Sequence, residues 1–452
     1  MNPDFPVGRY HEDLSAFAKR RASLLTQLEA AGGGALLLPT APERIRNGGT
    51  AYPYRFDSDF YYLTGYLEPD AWLLLRTHES PRSVLFCRDR DPEKELWEGR
   101  RLGVAAVPQA LGLEAAFPLA ELDAKLPELL AGAPALWLPL AENEEIDARL
   151  RRLLAALRTK ARLGPPAPDT LHDARALIAR MRRVKDAFEL ELMQRSATIA
   201  AHAHRRAMRV CRPGLHEYAL EAELIAEFRR HGAQGPSYPS IVAGGANACI
   251  LHYTDNRARL QAGELVLIDA GCEYDGYASD ITRTFPVDGR FRPPQRLLYD
   301  LVLAAQEAAI ATIRPGATFD DPHQAAVRVL TQGLLDLGLL SGSLDEALER
   351  QTYKRFYMHR TGHWLGLDVH DAGPTHENGQ PVTLVPGMVL TVEPGLYVPE
   401  ADDVPRDFWN LGIRIEDDAL VTEKGCRLLT RDVPVAAEAI EALMQHGGSD
   451  AR

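Results

Sequence analysis

The chain has 452 residues, of which 46% are hydrophobic and 25% are charged, and its formal net charge at pH 7 is −12. This length exceeds what one hydrophobic core supports, so we expect at least two domains. The negative charge and the lack of a dense Lys/Arg stripe argue against nucleic acid as the main partner, because phosphate binding needs a basic face.

Three features of the sequence predict where the protein works. The first residues lack a basic start followed by an apolar run, so no secretory signal is expected. Apolar runs such as Ala35–Pro39 are too short to span a bilayer. The five cysteines are scattered without CxxC spacing, which favours a reducing compartment. We therefore expect a cytoplasmic protein without a membrane partner.

The first third of the chain interleaves strand and helix patterns. A helix is expected over His11–Ala31, because the three glycines from Gly32 onward are a stop signal. The other expected elements are strands at Ala35–Leu38, Asp59–Leu63, Trp72–Arg76 and Ser83–Cys87, and helices at Glu121–Ala131 and Glu144–Leu157. This alternation is typical of an α/β domain.

A segment rich in proline and glycine, Arg162–Asp169, is interpreted as a linker. A helical pattern follows over Thr170–Arg183 and leads into a longer one over Ala187–Val210. We place the domain boundary near residue 175, which predicts an N-terminal domain over 1–175 and a second domain over 176–452.

From Pro236 onward, short β-type runs are separated by turn signals, with helical patterns between them. Strands are expected at Ser240–Val242, Glu264–Gly271, Tyr277–Pro286, Gly387–Glu393 and Gly412–Val421, and helices at Pro294–Thr312 and Asp321–Leu337. This pattern predicts an α+β domain with an antiparallel sheet.

One hairpin of this domain carries two aspartates. The pair Asp275–Gly276 favours a type I′ turn, because both central residues of that turn need positive φ. With this turn Asp269 faces Thr282, and Asp280 is a diagonal neighbour of Asp269 on the same face, about 7–8 Å away. A loop one residue longer would put the carboxylates on opposite faces. A surface hairpin with two solvated aspartates therefore remains an alternative.

Further metal-binding side chains follow in three later segments. The stretch from His359 to His370 carries three histidines, although a lone histidine in an apolar stretch is more often a core residue. Two glutamates end apolar runs, although each could face solvent. The candidate ligands are Asp269, Asp280, His363, Glu393 and Glu416. This oxygen-rich set suits two divalent ions such as Mn²⁺, Co²⁺, Fe²⁺ or Zn²⁺, and such a pair suits amide hydrolysis.

The chain resembles the pita-bread-fold metallopeptidases, and most closely the Xaa-Pro aminopeptidase (aminopeptidase P) family. The motifs that carry the resemblance are LHYTDN (Leu251–Asn256), IDAGCEYDGYASDITRTFP (Ile268–Pro286), HWLGLDVHD (His363–Asp371), TVEPGLYV (Thr391–Val398) and GIRIEDD (Gly412–Asp418). Weaker matches lie at Tyr52–Tyr66 and Glu95–Gly103. The resemblance implies a C-terminal pita-bread catalytic domain and a smaller α/β N-terminal domain.

The resemblance also implies roles for individual residues. The five candidate ligands would hold two metal ions, Mn²⁺ foremost, and Glu393 would also activate the attacking water. His252 and His370 would stabilise the tetrahedral intermediate. The implied substrate contacts are His359, Tyr397, Arg414, Tyr238 and Trp97. Trp97 would reach a neighbouring subunit's active site, which implies a homo-oligomer, either a dimer or a tetramer. Arg360 departs from the smaller residue expected beside His359.

The implied reaction is removal of the N-terminal residue from peptides with proline in the second position, by a hydroxide held between the two metals. A prolidase, which cleaves Xaa-Pro dipeptides only, is the first alternative, because it would share the five ligands. A non-catalytic binding protein on the same fold and a metal-independent, creatinase-like amidinohydrolase are the others. Neither of these two would need the complete ligand set.

Overall fold

The computed structural model of the chain describes residues 14–141, 144–162 and 164–447. These residues divide into two compact units, one up to Met181 and one from Arg182 onward. Each unit has its own buried apolar core. Among the described residues, none of the helices combines the length and the apolar composition that a membrane crossing requires.

The first unit is built around a mixed six-stranded sheet. The helices that begin in this unit are α1 (Ser15–Ala30), α2 (Ser58–Thr64), α3 (Pro92–Glu98), α4 (Val107–Leu111), α5 (Leu122–Leu129), α6 (Glu144–Lys160) and α7 (Arg175–Arg183). The strands are β1 (Ala35–Pro39), β2 (Ile45–Asn47), β3 (Thr50–Ala51), β4 (Trp72–Arg76), β5 (Ser83–Cys87), β6 (Ala115–Pro118), β7 (Ala135–Leu138) and β8 (Thr170–Asp173). The sheet order is β6-β5-β4-β1-β7-β8, which confirms the predicted α/β character.

The predicted strand at Asp59–Leu63 is wrong, because these residues form helix α2. The aromatic content of this run favours a strand, but both ends carry helix signals. The Asp57 side chain accepts a hydrogen bond from the backbone N–H of Phe60 at 2.8 Å, and Gly65 ends the helix with φ 68°. Capping at both ends outweighs the weak strand propensity of the interior.

The helix predicted over Thr170–Arg183 is partly wrong. Its first residues, Thr170–Asp173, form strand β8 parallel to β7, and α7 begins only at Arg175. Pairing with the edge of the sheet outweighs the local helical pattern here. The helix predicted over His11–Ala31 is confirmed from Ser15 to Ala30, and residues 11–13 lie outside the described residues.

The second unit combines long helices with short antiparallel sheets. Its helices are α8 (Ala187–Val210), α9 (Glu217–Arg230), α10 (Pro293–Thr312), α11 (Asp321–Asp336), α12 (Leu344–Glu349) and α13 (Ala437–Gly447). Its strands are β9 (Gly235–Pro236), β10 (Ile241–Gly244), β11 (Leu265–Asp269), β12 (Cys272–Tyr274), β13 (Tyr277–Ala278), β14 (Thr282–Pro286), β15 (His376–Glu377), β16 (Gln380–Pro381), β17 (Val389–Val392), β18 (Gly395–Val398), β19 (Leu411–Arg414), β20 (Asp417–Val421) and β21 (Cys426–Leu428).

Two antiparallel ladders dominate the sheets of the second unit. One contains β10-β11-β14, and the other is formed by β17-β20-β21 and β18-β19. Helix α8 packs on α9, and α10 packs on α11. Helix α8 begins with a capping box, in which Asp186 and Glu189 each bind the other's backbone N–H at 3.0 Å. The α+β prediction for this part of the chain is confirmed.

Candidate metal centre

The aspartate hairpin has the predicted register. Asp269 pairs with Thr282 across β11 and β14, and both residues of the Asp275–Gly276 turn have positive φ. The hydroxyl oxygen of Tyr238 is 2.6 Å from Asp269 Oδ1 and also within hydrogen-bond distance of Asp280 Oδ1, so its single proton is shared between the two carboxylates. The two carboxylates therefore share one face of the ribbon, which excludes the alternative with opposite faces.

The second ladder brings two glutamates together. The pairs Val392–Asp417 and Gly395–Arg414 have the same register on either side of an interruption. Glu393 and Glu416, which lie in that interruption, therefore face each other. Each of them receives a hydroxyl hydrogen bond, Glu393 from Thr391 at 3.3 Å and Glu416 from Thr282 at 2.6 Å.

The imidazole of His363 points into the space between these carboxylates. Its Nδ1 is 2.9 Å from the carbonyl oxygen of Trp364, so a proton on Nδ1 leaves the Nε2 lone pair free for a metal. Nε2 is 3.5 Å from Asp280 Oδ2 and 3.6 Å from Glu393 Oε1. The hydrogen bond to the Trp364 carbonyl thus fixes the ring in the orientation of a metal ligand.

The predicted ligands form one cluster. One possible ligand atom from each of Asp280, His363 and Glu416 lies within 4.8 Å of the others. Glu393 adjoins this group through His363, and Asp269 adjoins it through the shared Tyr238 hydroxyl. All five predicted ligand side chains are therefore close together.

The electrostatics of the cluster fit a bound cation. Burial and then neighbouring carboxylates raise the pKa of Glu416 well above its usual range, and burial raises the pKa of Glu393 to about 7. Burial would lower the pKa of His363, but Asp280 and Glu393 outweigh it and raise the pKa to about 9. Buried carboxylates repel one another unless a positive charge balances them. Divalent ions would supply that charge.

Three of the predicted substrate residues form a hydrogen-bonded row. Arg414 donates from Nη2 to Asp269 Oδ2 at 2.6 Å and from Nη1 to the Tyr397 hydroxyl at 2.8 Å. The same hydroxyl lies 2.9 Å from His359 Nε2. Arg414 is buried, so its guanidinium orients Asp269 and Tyr397.

The two other predicted catalytic histidines lie beside the cluster. The ring of His370 meets that of His363 edge to face, with centroids 4.4 Å apart. Partial desolvation of the ring and then His363 lower the pKa of His370. The two residues that flank His252 pack against the apolar cluster that contains Tyr397. Both His252 and His370 are exposed. Trp97 lies in the first unit, on α3, and is 87% exposed.

Several contacts around the ligands were not predicted from the sequence. The Thr282 hydroxyl donates a hydrogen bond to Glu416 and accepts one from Arg414 Nε at 3.2 Å. Arg283 is fully buried, pairs with Asp417 at 2.8 Å, and donates to the backbone carbonyl of Glu416. Strand alternation places Thr282 on the same face as Asp280, and this signal could have identified it. Nothing local indicated the partner of Arg283.

A buried ion pair also supports the histidine-rich segment. Asp371, which directly follows His370, accepts from Lys185 Nζ at 2.9 Å and from Arg182 Nη2 at 2.5 Å. A Cβ at Gly366 would overlap the Asp371 carboxylate, so only glycine fits there. These contacts tie the segment with His363 and His370 to the residues before α8.

Each of the two units matches a known protein family. Residues 191–423 match the family "Metallopeptidase family M24", and residues 17–137 match "Aminopeptidase P, N-terminal domain". The Xaa-Pro aminopeptidase of Escherichia coli K12 is 45% identical over 95% of this chain and 97% of its own length. The Haemophilus influenzae Xaa-Pro aminopeptidase is 45% identical over 95% of this chain and 96% of its own length. The structure of aminopeptidase PepP from Pseudomonas aeruginosa has a TM-score of 0.95 and 47% identity, covering 98% of this chain and 100% of that one.

Proposed function

The chain belongs to metallopeptidase family M24, as its motifs predicted, and we propose that it releases the N-terminal residue from peptides with proline in the second position. The relatives named Xaa-Pro aminopeptidase match it over nearly its whole length. The match of the first unit to the aminopeptidase P N-terminal domain favours this activity over that of a prolidase. The pita-bread fold class is confirmed by the same comparisons.

The observation that carries the proposal is the convergence of ligand atoms from three distant segments, those of Asp280, His363 and Glu416. We assign two divalent ions to the five side chains of the cluster, which are Asp269, Asp280, His363, Glu393 and Glu416. The complete set favours an enzyme over a non-catalytic binding protein or a metal-independent amidinohydrolase. An oxygen-rich set with one imidazole suits Mn²⁺, with Co²⁺, Fe²⁺ or Zn²⁺ as alternatives.

Two such ions would lower the pKa of a coordinated water and polarise the carbonyl of the scissile bond. Glu393 lies beside His363, and its Oε2 is 3.9 Å from His359 Nδ1. We assign Glu393 the transfer of the proton from the attacking water to the leaving proline nitrogen. His252 and His370 would donate hydrogen bonds to the developing oxyanion.

The substrate bond sets an unusual requirement. An Xaa-Pro amide has no N–H and a fixed proline φ, so a site that grips extended backbone by hydrogen bonds binds it poorly. His359 and Tyr397 are the proposed substrate contacts within this unit. Tyr238 and Arg414 are engaged with Asp269, so we assign them the orientation of that carboxylate.

We also propose that the enzyme is a homo-oligomer and works in the cytoplasm. Helix α3 buries none of its side chains, and Leu96 and Trp97 on it are 81% and 87% exposed. Large exposed apolar side chains such as these are typical of an interaction surface, and a neighbouring copy is the proposed cover. All five cysteines are free, which fits a reducing compartment.

The test is hydrolysis of three peptides: Arg-Pro-Pro, the dipeptide Arg-Pro, and Arg-Ala-Pro as the control without proline in the second position. The protein is first treated with a chelator and dialysed, then assayed with and without added Mn²⁺. We expect cleavage of Arg-Pro-Pro only when metal is restored, and little cleavage of Arg-Ala-Pro. Cleavage of the dipeptide alone would identify a prolidase. Hydrolysis that survives complete metal removal would refute the metal-dependent mechanism.

A further inference from the structure

Glu217, the first residue of α9, is a fully buried carboxylate with four hydrogen-bond donors. Its Oε1 accepts from the backbone N–H of Gly244 at 2.8 Å and from Asn247 Nδ2 at 3.0 Å. Its Oε2 accepts from the Tyr253 hydroxyl and from the backbone N–H of Ala258, both at 2.8 Å. None of these donors is a cation, so neutral dipoles alone compensate the buried charge.

The four donors all lie within one segment, residues 244–258, which we name the His252 loop. Tyr253 is the immediate neighbour of His252, and Gly244 and Ala258 stand at the two ends. A single side chain on another element therefore fixes the loop at four points. The loop cannot shift without leaving part of a buried carboxylate without donors, which is costly.

Two further contacts fix the backbone of the loop and leave His252 free. Asn256 has a φ of 48° and bonds Val242 N and Ser240 O at 2.9 Å each. A Cβ at Gly412 would overlap the carbonyl of Ala248, so the loop packs directly on strand β19. The His252 side chain itself is exposed. These contacts therefore hold the backbone of the loop in place, while the His252 side chain stays accessible.

We propose that Glu217 is a positioning residue that holds His252 where it meets the substrate. This inference rests on the proposed function, which assigns His252 to the oxyanion. Glu217 belongs neither to the ligand set nor to the substrate contacts, and the four donors to its carboxylate all lie on the His252 loop. It acts on the reaction through the loop alone.

The geometry requires a carboxylate and not an amide. Each oxygen of Glu217 faces one backbone N–H, that of Gly244 on one side and that of Ala258 on the other. A backbone N–H cannot become an acceptor. In Glu217→Gln the amide NH₂ therefore meets one of these N–H groups in either orientation, and the loop must move away from it.

The experiment is a double-mutant cycle of Glu217→Gln and His252→Ala, assayed on Arg-Pro-Pro with Mn²⁺. We expect Glu217→Gln to lower kcat on the order of tenfold, with a smaller change in KM, because a displaced group loses transition-state contacts. In the His252→Ala background it should change kcat less than about twofold. The manganese content should stay that of the wild type. The matched control is Glu223→Gln on the same helix, which removes only a pair with Arg206 at 3.0 Å.

Two outcomes of the cycle overturn the proposal. If Glu217→Gln lowers kcat equally with and without His252, Glu217 acts through the fold or the metals. If Glu217→Gln has the kcat of the wild type, the loop does not need the Glu217 carboxylate to hold His252 in position. If Glu217→Gln does not fold, Tyr253→Phe removes a single donor, and the same cycle applies with a several-fold expected loss. If the wild type cleaves no Xaa-Pro peptide, the proposed function fails by itself.

A readout independent of activity separates these failures. Backbone amide exchange of residues 244–258 should be about tenfold faster in Glu217→Gln than in Glu223→Gln, because local opening controls exchange. Unchanged exchange in that segment would refute the positioning role of Glu217 even if kcat falls. If the wild type cleaves no Xaa-Pro peptide but exchange is still faster in Glu217→Gln than in Glu223→Gln, then Glu217 holds the loop and only the proposed function is wrong.

Discussion

Replacing Thr282 with valine removes one hydroxyl and almost no volume. That hydroxyl donates to Glu416 Oε2 at 2.6 Å and accepts from Arg414 Nε at 3.2 Å. Thr282 and Glu416 are both buried, so water cannot replace the lost partner. Thr282→Val therefore leaves one buried anion and one buried cation each short of a hydrogen bond.

The expected magnitude follows from these two contacts. A hydrogen bond to a charged group contributes about 1.5–3 kcal/mol. Arg414 keeps its bonds to Asp269 and Tyr397, so most of the loss falls on Glu416. We expect the free energy of unfolding to drop by about 2–4 kcal/mol. Loss of a partner that orients a metal ligand lowers metal affinity about 10- to 100-fold.

Calorimetric titration of the chelator-treated protein with Mn²⁺ measures the affinity, and urea unfolding measures the stability. Thr284→Val, two residues along the same strand, is the matched control. The Thr284 hydroxyl bonds only the backbone of Arg414, at 3.0 and 3.2 Å. We expect Thr284→Val to lower the free energy of unfolding by about 1 kcal/mol without changing the affinity for Mn²⁺. A folded Thr282→Val protein that binds Mn²⁺ as tightly as the wild type would refute the reasoning.

Three other perturbations have expected outcomes. Asp280→Ala should reduce turnover more than about a thousandfold, since it removes a central carboxylate of the cluster; wild-type turnover in a steady-state assay would contradict the metal assignment. Gly362→Ala should lower the free energy of unfolding by more than about 3 kcal/mol, because its Cβ would overlap the carbonyl of Thr391. Asp371→Asn should lower it by about 3–5 kcal/mol, because it leaves Lys185 buried and unpaired.

The chain offers a control for each stability variant. Gly48 has open space where a Cβ would stand, so Gly48→Ala should change the unfolding midpoint in urea by little. The ion pair between Arg355 and Asp403, 2.6 Å apart and exposed on both sides, is a solvent-accessible counterpart of the buried pair. We expect Asp403→Asn to leave the free energy of unfolding nearly unchanged, because solvent screens an exposed pair. Equal losses in Asp371→Asn and Asp403→Asn would contradict the role assigned to burial.

The parts of the fold that depend on local signals were predictable from the sequence. Helix α8 was predicted with its observed limits, because a continuous helical pattern decided its length. The runs at Asp59–Leu63 and Thr170–Asp173 were assigned wrongly, for opposite reasons. In the first, the caps outside the run determined the helix. In the second, pairing with a strand more than thirty positions away determined the strand.

The metal cluster shows the same division between local and distant causes. Two antiparallel ladders each supply a pair of carboxylates, Asp269 with Asp280 and Glu393 with Glu416. A two-residue turn joins β12 and β13, whose pairing has the same register as that of β11 with β14. The composition of the turn therefore fixes the register, and the residues alone predict the pair. The strands of the second ladder are separated by a long loop after Val398, and no turn chemistry fixes their register. The pairing of Glu393 with Glu416 therefore depends on the packing of the whole unit, and only the family resemblance could anticipate it.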